Sequence, residues 1–263
     1  EEGLGVPLFH PSTRSTTLTA EGALFLARSR RVLSEIEAAE QELSHAAEAP
    51  RGRLRVSLPL VSSLVLPVLA DFMAAYPAIE LDLDFSDRLV DVIEEGFDAV
   101  VRTGEPADSR LSSRQLGEFS QLLVASPAYL AHHGTPASPD DLARHPCLHY
   151  PYPATGKVEV WPLAPGPDGS EVRPPVSMIC NNIETRLCFA LSGRATPCLP
   201  DFSVRAALAE GALQPVLAEH LRRPRTIAFR VLWPTGRHPS PKLRAFIDFL
   251  GARMFGPPAE TPA

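Results

Sequence analysis

The stretch LRVSLPLVSSLVLPVLADFMAAYPAIELDLDFSDRLVDVIEEGFDAVVRTG, residues 54–104, decides the fold. Leu54, Val56 and Leu58 alternate with polar residues, as one buried face of a strand does. From Ser62 to Tyr76 the apolar residues Leu64, Val65, Val68, Leu69, Phe72 and Met73 take helical spacing, and Pro77 stops the helix. Ile79, Leu81, Leu83 and Phe85 alternate again. The spacing then predicts a helix from Asp87 to Glu95 capped by Gly96, and a continuously apolar strand, Ala99-Val100-Val101, ending at Arg102-Thr103-Gly104. Strand, helix, strand, helix, strand is the unit of a parallel sheet covered by helices.

Upstream of this unit, Pro50-Arg51-Gly52-Arg53 reads as a linker. Before it, residues 20 to 47 are rich in Ala, Glu, Leu and Arg and lack proline, which predicts a long helix. Thr19 is a fitting N-cap, with Glu21 in the first turn. Leu26, Ser29, Leu33, Ile36, Glu40, Leu43 and Ala47 step by three and four along it. Such a seam suits a helix paired lengthwise with another, or one lying on its own domain. Leu4, Val6, Leu8-Phe9 and Thr17-Leu18, around a polar Pro11–Ser15 turn, predict a small hairpin.

Downstream, Gln121 to Ala125 reads as a strand and Ser126-Pro127 as the start of a helix. Residues 134 to 175 are rich in proline and glycine, with strand candidates at Cys147 to Tyr150 and Val158 to Leu163. Val176 to Cys180 is a strand, Asn181 begins a helix running to about Ser192, and Ala195 to Leu199 is a further strand ending at Pro200-Asp201. Thr226 to Trp233 is a late strand, and Ser240-Pro241 opens a closing helix with Leu243, Phe246, Ile247 and Leu250 on one face. A second α/β lobe accounts for this half.

The composition, 44% hydrophobic and 21% charged with a net charge of −6, is that of a globular protein. No apolar run approaches the roughly 20 residues needed to span a bilayer. The opening Glu1-Glu2-Gly3-Leu4 lacks a secretory pattern but reads as mid-protein sequence, so something upstream is expected to be missing and the absent leader counts for less. A cytoplasmic location is expected from the reading of the cysteines as thiols of a reducing compartment. Residues 1–50 hold eight Glu against four Arg, so charge gives no nucleic-acid footprint there. Cys147, Cys180, Cys188 and Cys198 form no metal spacing and are expected to be buried thiols. His132-His133 reads as a solvated loop pair. No nucleophile motif, Walker A loop or dinucleotide fingerprint is present, so neither catalysis, cofactor nor metal is expected.

Parallel sheets bind ligands beyond the carboxyl ends of their strands, where helix N-termini offer free N–H groups. Those places are Leu60 to Ser63, Ser86-Asp87-Arg88, Arg102-Thr103, Ser126, Asn181-Asn182 and Pro200-Asp201, with Ser62, Ser63, Arg102, Thr103, Ser126, Asn181 and Asn182 as the effector candidates among them. Arg102, the cation at a strand end of the first lobe, suits a carboxylate by a forked contact, or a structural ion pair to Asp87 or Glu105. Ser62, Ser63, Asn181 and Asn182 are equally fitting helix caps. Glu184, one turn into the same helix, would repel an anion.

Taken together, LGVPLFHPSTRSTTLTAEGALFLARSRRVL, PRGRLRVSLP, ASPAYLAHHGTPASPDDLARHPCL, CLPDF and SPKLRAFIDFL resemble, in order, the LysR-type transcriptional regulators. Arg102-Thr103-Gly104 is similar to the subgroup with Arg-x-Gly after the third strand. The resemblance implies an α/β, two-lobed, periplasmic-binding-protein-like effector domain (51–256), preceded by a β wing remnant of a winged helix-turn-helix (1–18) and a linker helix (19–50). Lobe I is expected at 52–124 and 229–256, lobe II at 125–228. It implies a regulator rather than an enzyme, promoter DNA as partner through the parent winged helix-turn-helix, Arg14 of the wing at the DNA, and a small-molecule effector between the lobes, a small organic acid being the class that Arg102 suits. It further implies homodimers through Leu26, Leu33, Ile36 and Leu43, and homotetramers. The recognition helix of that family lies outside this sequence. Arg194 and Pro197 depart from the family's glycine-rich rim. A transport-type solute-binding protein of the same fold is the alternative expectation.

Overall fold

Leu54, Val56 and Leu58 point inward from β1 (Gly52–Leu58) and are fully enclosed. This computed structural model describes residues 4–10, 17–43, 49–104, 106, 108–153, 155–166, 169–222, 226–235 and 239–256. β1 pairs in parallel with β2 (Ile79–Phe85) and β3 (Ala99–Thr103). Helix α2 (Ser62–Ala75) forms the crossover from β1 to β2. The late strand β10 (Ile227–Pro234) runs antiparallel beside β3, and β4 (Leu111–Phe119) lies outside it, giving the order β2-β1-β3-β10-β4. The closing helix α6 (Pro241–Arg253) packs on this sheet and on α2. Phe72 meets Phe246 at 5.2 Å and Phe249 at 5.4 Å, edge to face, the arrangement aromatic quadrupoles favour.

The second sheet has the order β7-β6-β8-β5-β9. Its strands are β5 (Gln121–Ala125), β6 (Cys147–His149), β7 (Met178–Ile179), β8 (Thr196–Pro200) and β9 (Gln214–Pro215). Around it lie α3 (Pro127–His133), α4 (Ile183–Leu191) and α5 (Asp201–Ala209). The chain passes from the first sheet to the second at Ser120 and returns before β10. The whole of β5 therefore belongs to the second sheet, and the change of lobe comes before the boundary expected after residue 124. At this passage Ser120 and Asp201 clasp each other: the Asp201 amide donates to the Ser120 carbonyl at 2.9 Å, and the Ser120 amide to the Asp201 carboxylate at 3.1 Å.

Before the lobes, Phe9 bridges Leu18 antiparallel, and the Thr19 amide donates to the Leu8 carbonyl. Helix α1 (Ala20–Leu43) then begins, capped by the Thr19 hydroxyl, which accepts the Gly22 amide at 2.9 Å. Gly22 lies so close to Leu8 that an added Cβ would clash with the Leu8 carbonyl oxygen. Arg14 lies outside the described residues, as do the side chain of Leu43 and all of Ala47.

Several expectations need correction. Residues 87–95 form no helix; turns occupy residues 92–96 instead. Local side-chain bonds won over the helical ladder there: the Asp91 carboxylate accepts the Ile93 and Glu94 amides, and Glu95 accepts the Asp91 amide. Val158 to Leu163 makes only isolated bridges, one to Pro151 and one to Leu221. β4 was not legible because its residues are mostly polar, and α5 was not foreseen beyond Pro200-Asp201. Cys188 is exposed and Cys180 half-buried, so only Cys147 and Cys198 are the expected enclosed thiols. His132 and His133 close α3 rather than a loop, while His145 and His149 are buried.

Candidate functional site

The carboxyl ends of β1, β2 and β3 face the second lobe, and a hydrogen bond crosses between them. The Tyr150 hydroxyl, one residue beyond β6, donates to the Asp87 carboxylate at 3.1 Å. The other Asp87 oxygen accepts the Leu60 amide at 3.0 Å, just before α2. An internal carboxylate therefore already sits beside the positive end of that helix. Burial first, and Asp87 second, push the Tyr150 phenol well above its ordinary range, so it stays a neutral donor.

Arg102 lies below this bridge. One terminal nitrogen donates to the Val101 carbonyl at 2.7 Å and the Ser57 carbonyl at 3.2 Å. The other donates to the Ser57 hydroxyl at 2.8 Å and the Arg88 carbonyl at 3.3 Å. Ser57 in turn donates to Asp84 at 3.1 Å. Burial pulls the Arg102 guanidinium below its ordinary value, against the attraction of Asp87 and Asp84. All four terminal N–H groups have protein acceptors, so an incoming carboxylate must replace one. The Arg88 carbonyl, the longest of the four contacts, is the one most easily displaced.

On the second lobe, Tyr150 rests against a buried ion pair. The Arg186 guanidinium lies 5.3 Å from the Tyr150 ring centre and 3.2 Å from the Glu159 carboxylate. Glu159 also accepts the Tyr150 amide at 2.8 Å and the Trp161 indole at 3.3 Å. Burial raises the Glu159 carboxyl above its ordinary range, and Arg186 opposes that shift most strongly. Arg186 Nε and both Glu184 carboxylate oxygens are closed off from solvent with no hydrogen-bond partner among the described residues. Buried groups of this kind are ordinarily satisfied, by a bound polar molecule or water where the protein supplies nothing.

The sequence-derived candidates divide. Ser63, Thr103 and Asn181 are exposed at the ends of their elements. Ser62 is the first residue of α2; its side chain lies outside the described set. Ser126 is buried and accepts the Tyr129 amide at 3.2 Å as the cap of α3. Asn182 caps α4, accepting the Thr185 amide at 2.7 Å and its hydroxyl at 2.8 Å. Sequence reasoning missed Tyr150, Glu159 and Arg186. Tyr150 was within reach, since it follows the strand Cys147–His149 and strand ends were the places searched.

Along α1, Leu33 and Ile36 are 60% and 50% exposed, and Leu26 is half-buried. Two large aliphatic side chains one turn apart are thus open on α1. Arg28, on the same helix, grips Glu94 of the first lobe with both carboxylate oxygens, at 2.9 and 3.0 Å. No helix of the described residues is long and apolar enough to cross a membrane. Among the described residues no group of three or more His, Cys, Asp or Glu could hold a metal ion.

Comparison with known proteins bears on this architecture. The sequence profile of the LysR substrate binding domain matches residues 47–255. The HTH-type transcriptional regulator CrgA of Neisseria meningitidis serogroup C is 38% identical over 253 residues, 95% of this chain and 83% of that protein. The uncharacterized HTH-type transcriptional regulator YhjC of Escherichia coli is 33% identical over 265 residues, 97% of this chain and 85% of that protein. The solved structure of CrgA, a LysR-type regulator from Neisseria meningitidis, superposes with a TM-score of 0.73 at 35% identity, covering 97% of this chain and 86% of that one.

Proposed function

This chain belongs to the LysR family of transcriptional regulators, and on that basis we propose that a small polar molecule, bound between its two lobes where Tyr150 meets Asp87, controls its action at promoter DNA. The observation that carries the site is the hydrogen bond between Tyr150 and Asp87 from one lobe to the other, at the carboxyl ends of three parallel strands. The relatives matched over nearly the whole chain, α1 included, are regulators. That weighs against the transport-type solute-binding alternative.

The effector class is a small organic acid. Its carboxylate takes the Arg102 N–H now spent on the Arg88 carbonyl at 3.3 Å, and a second polar group takes the Tyr150 hydroxyl from Asp87. Ser63, Thr103 and Asn181, exposed at neighbouring element ends, are free to add hydrogen bonds, with Ser62 beside them in sequence. Ser126 and Asn182 support the site as caps. Lobe I comprises the first sheet with α2 and α6, and lobe II the second sheet. Promoter contact runs through the winged element, where Arg14 is the candidate, and subunits pair along α1 through Leu26, Leu33, Ile36 and Leu43, giving dimers and tetramers of a cytoplasmic protein with no enzymatic role.

Calorimetric titration with a panel of mono- and dicarboxylic acids tests the site. Tyr150→Phe and Arg102→Gln each weaken the acid that binds wild type by about tenfold, the loss expected for a charged or well-placed hydrogen bond. Unchanged affinity in both variants places the effector elsewhere.

A further inference from the structure

Ser86 to Gly96, the segment expected as a helix, is instead a turn-rich strap whose two ends are fastened to different parts of the molecule. At its start, Asp87 accepts Tyr150 from the second lobe, and the Arg88 carbonyl accepts Arg102. Near its end, Glu94 accepts both bonds from Arg28 of α1, the helix that precedes the lobes. Between them the strap is braced from within. Arg88 forks onto both Glu95 oxygens at 2.8 and 2.5 Å. The Asp91 carboxylate holds the Ile93 and Glu94 amides at 3.0 and 2.9 Å. The Asp98 carboxylate and the Glu95 carbonyl pin the far end to Arg55 of β1.

We infer that this strap is the coupling element between the crevice and α1: the state of the Tyr150–Asp87 contact sets how firmly Glu94 holds Arg28. The inference rests on the proposed effector site only for what moves Tyr150; the mechanical link stands on the contacts alone. A helix in this place would connect the same points through its own ladder, indifferent to side chains. A strap held by side-chain bonds passes a change at Asp87 to Arg88, from Arg88 to Glu95, and so to the turn that presents Glu94. Each of these bonds is individually weak, and their exposure permits rearrangement without unfolding the sheet beneath. Coupling of this kind is reciprocal, so loosening Arg28 also loosens the strap's start.

Hydrogen–deuterium exchange on the full 263-residue chain tests the inference without any effector. Tyr150→Phe removes only the hydroxyl. It is expected to speed exchange roughly three- to tenfold in residues 86–96 and also in residues 20–32 of α1, with β5 and β8 unchanged as an internal control for folding; this is the scale of losing one hydrogen bond. In the Glu94→Gln background, where the grip on Arg28 is already weakened, Tyr150→Phe is expected to add nothing further in α1. Faster exchange in the strap with α1 unmoved, or full additivity of the two substitutions in α1, overturns the coupling. Both results leave the acid titration untouched, so failure of the strap and failure of the effector site are told apart.

Discussion

At the scale of single residues, the buried aromatic and imidazole groups of the second lobe pair with one another. Tyr129 and His145 share a 2.8 Å hydrogen bond, His133 stacks on Tyr129 at 4.5 Å, and His149 stacks on Trp161 at 4.8 Å. Burial lowers both His145 and His149 below the ordinary 6.5; His133 and Arg144 push His145 the same way, and Arg186 does so for His149. A lowered histidine stabilises the fold fully above its unfolded value and loses that contribution as pH falls below it. The melting temperature is therefore expected to fall between pH 7.5 and 5, and His145→Gln to flatten the decline; an equal slope in the variant removes His145 as a cause. The Cys147 thiol, pushed up to about 12 by burial, stays protonated throughout.

At the scale of elements, caps and faces separate what a residue does for its own helix from what it offers outward. Asn182 spends one oxygen on both the amide and the hydroxyl of Thr185. Asn182→Ala is expected to lower stability by about 1 kcal/mol in urea unfolding while effector affinity changes less than threefold, the signature of a cap. A loss of affinity much larger than the loss of stability would instead make it a ligand contact. For α1, the half-exposed Leu33 and Ile36 lie on a face with no cover among the described residues. Leu33→Asp and Ile36→Asp are expected to reduce the mass seen in light scattering, because a charge in a helix seam cannot be desolvated without a partner. An unchanged mass assigns subunit contact to another surface. The 3-4 spacing was legible in the sequence; which side of the helix stayed open was not, because a spacing cannot say what packs against it.

At the scale of the whole molecule, the main core runs across both lobes, while the second lobe also encloses a cluster of its own around Tyr129, Leu142 and Trp161. Val124, Leu199 and Val204 of the second lobe belong to the same enclosed cluster as Leu54, Phe72 and Phe246 of the first. Phe202 of α5 reaches Phe119 at 5.4 Å, Phe229 at 6.0 Å and Phe255 at 6.4 Å, beside the Ser120–Asp201 clasp. The passage between lobes is thus stapled, and the opposite rim is joined by the Tyr150 hydroxyl. Phe202→Ala is expected to destabilise by about 2–3 kcal/mol, less than a fully enclosed ring would. A change below about 0.5 kcal/mol, the scale of an unremarkable surface substitution, would remove Phe202 from the interlobe contact. By itself the sequence determined the parallel unit from Leu54 to Val101, the long helix after Thr19 and the family, because apolar period and local caps are properties of neighbours along the chain. It did not determine that residues 87–95 would be a strap, that the polar stretch Leu111–Phe119 would pair with β10, or that Tyr150, Arg186 and Glu159 would meet. Only the tertiary structure decided these: in the strap, side-chain bonds competed with the helical ladder, and the other two depend on partners far along the chain, of which a side chain's spacing carries no record.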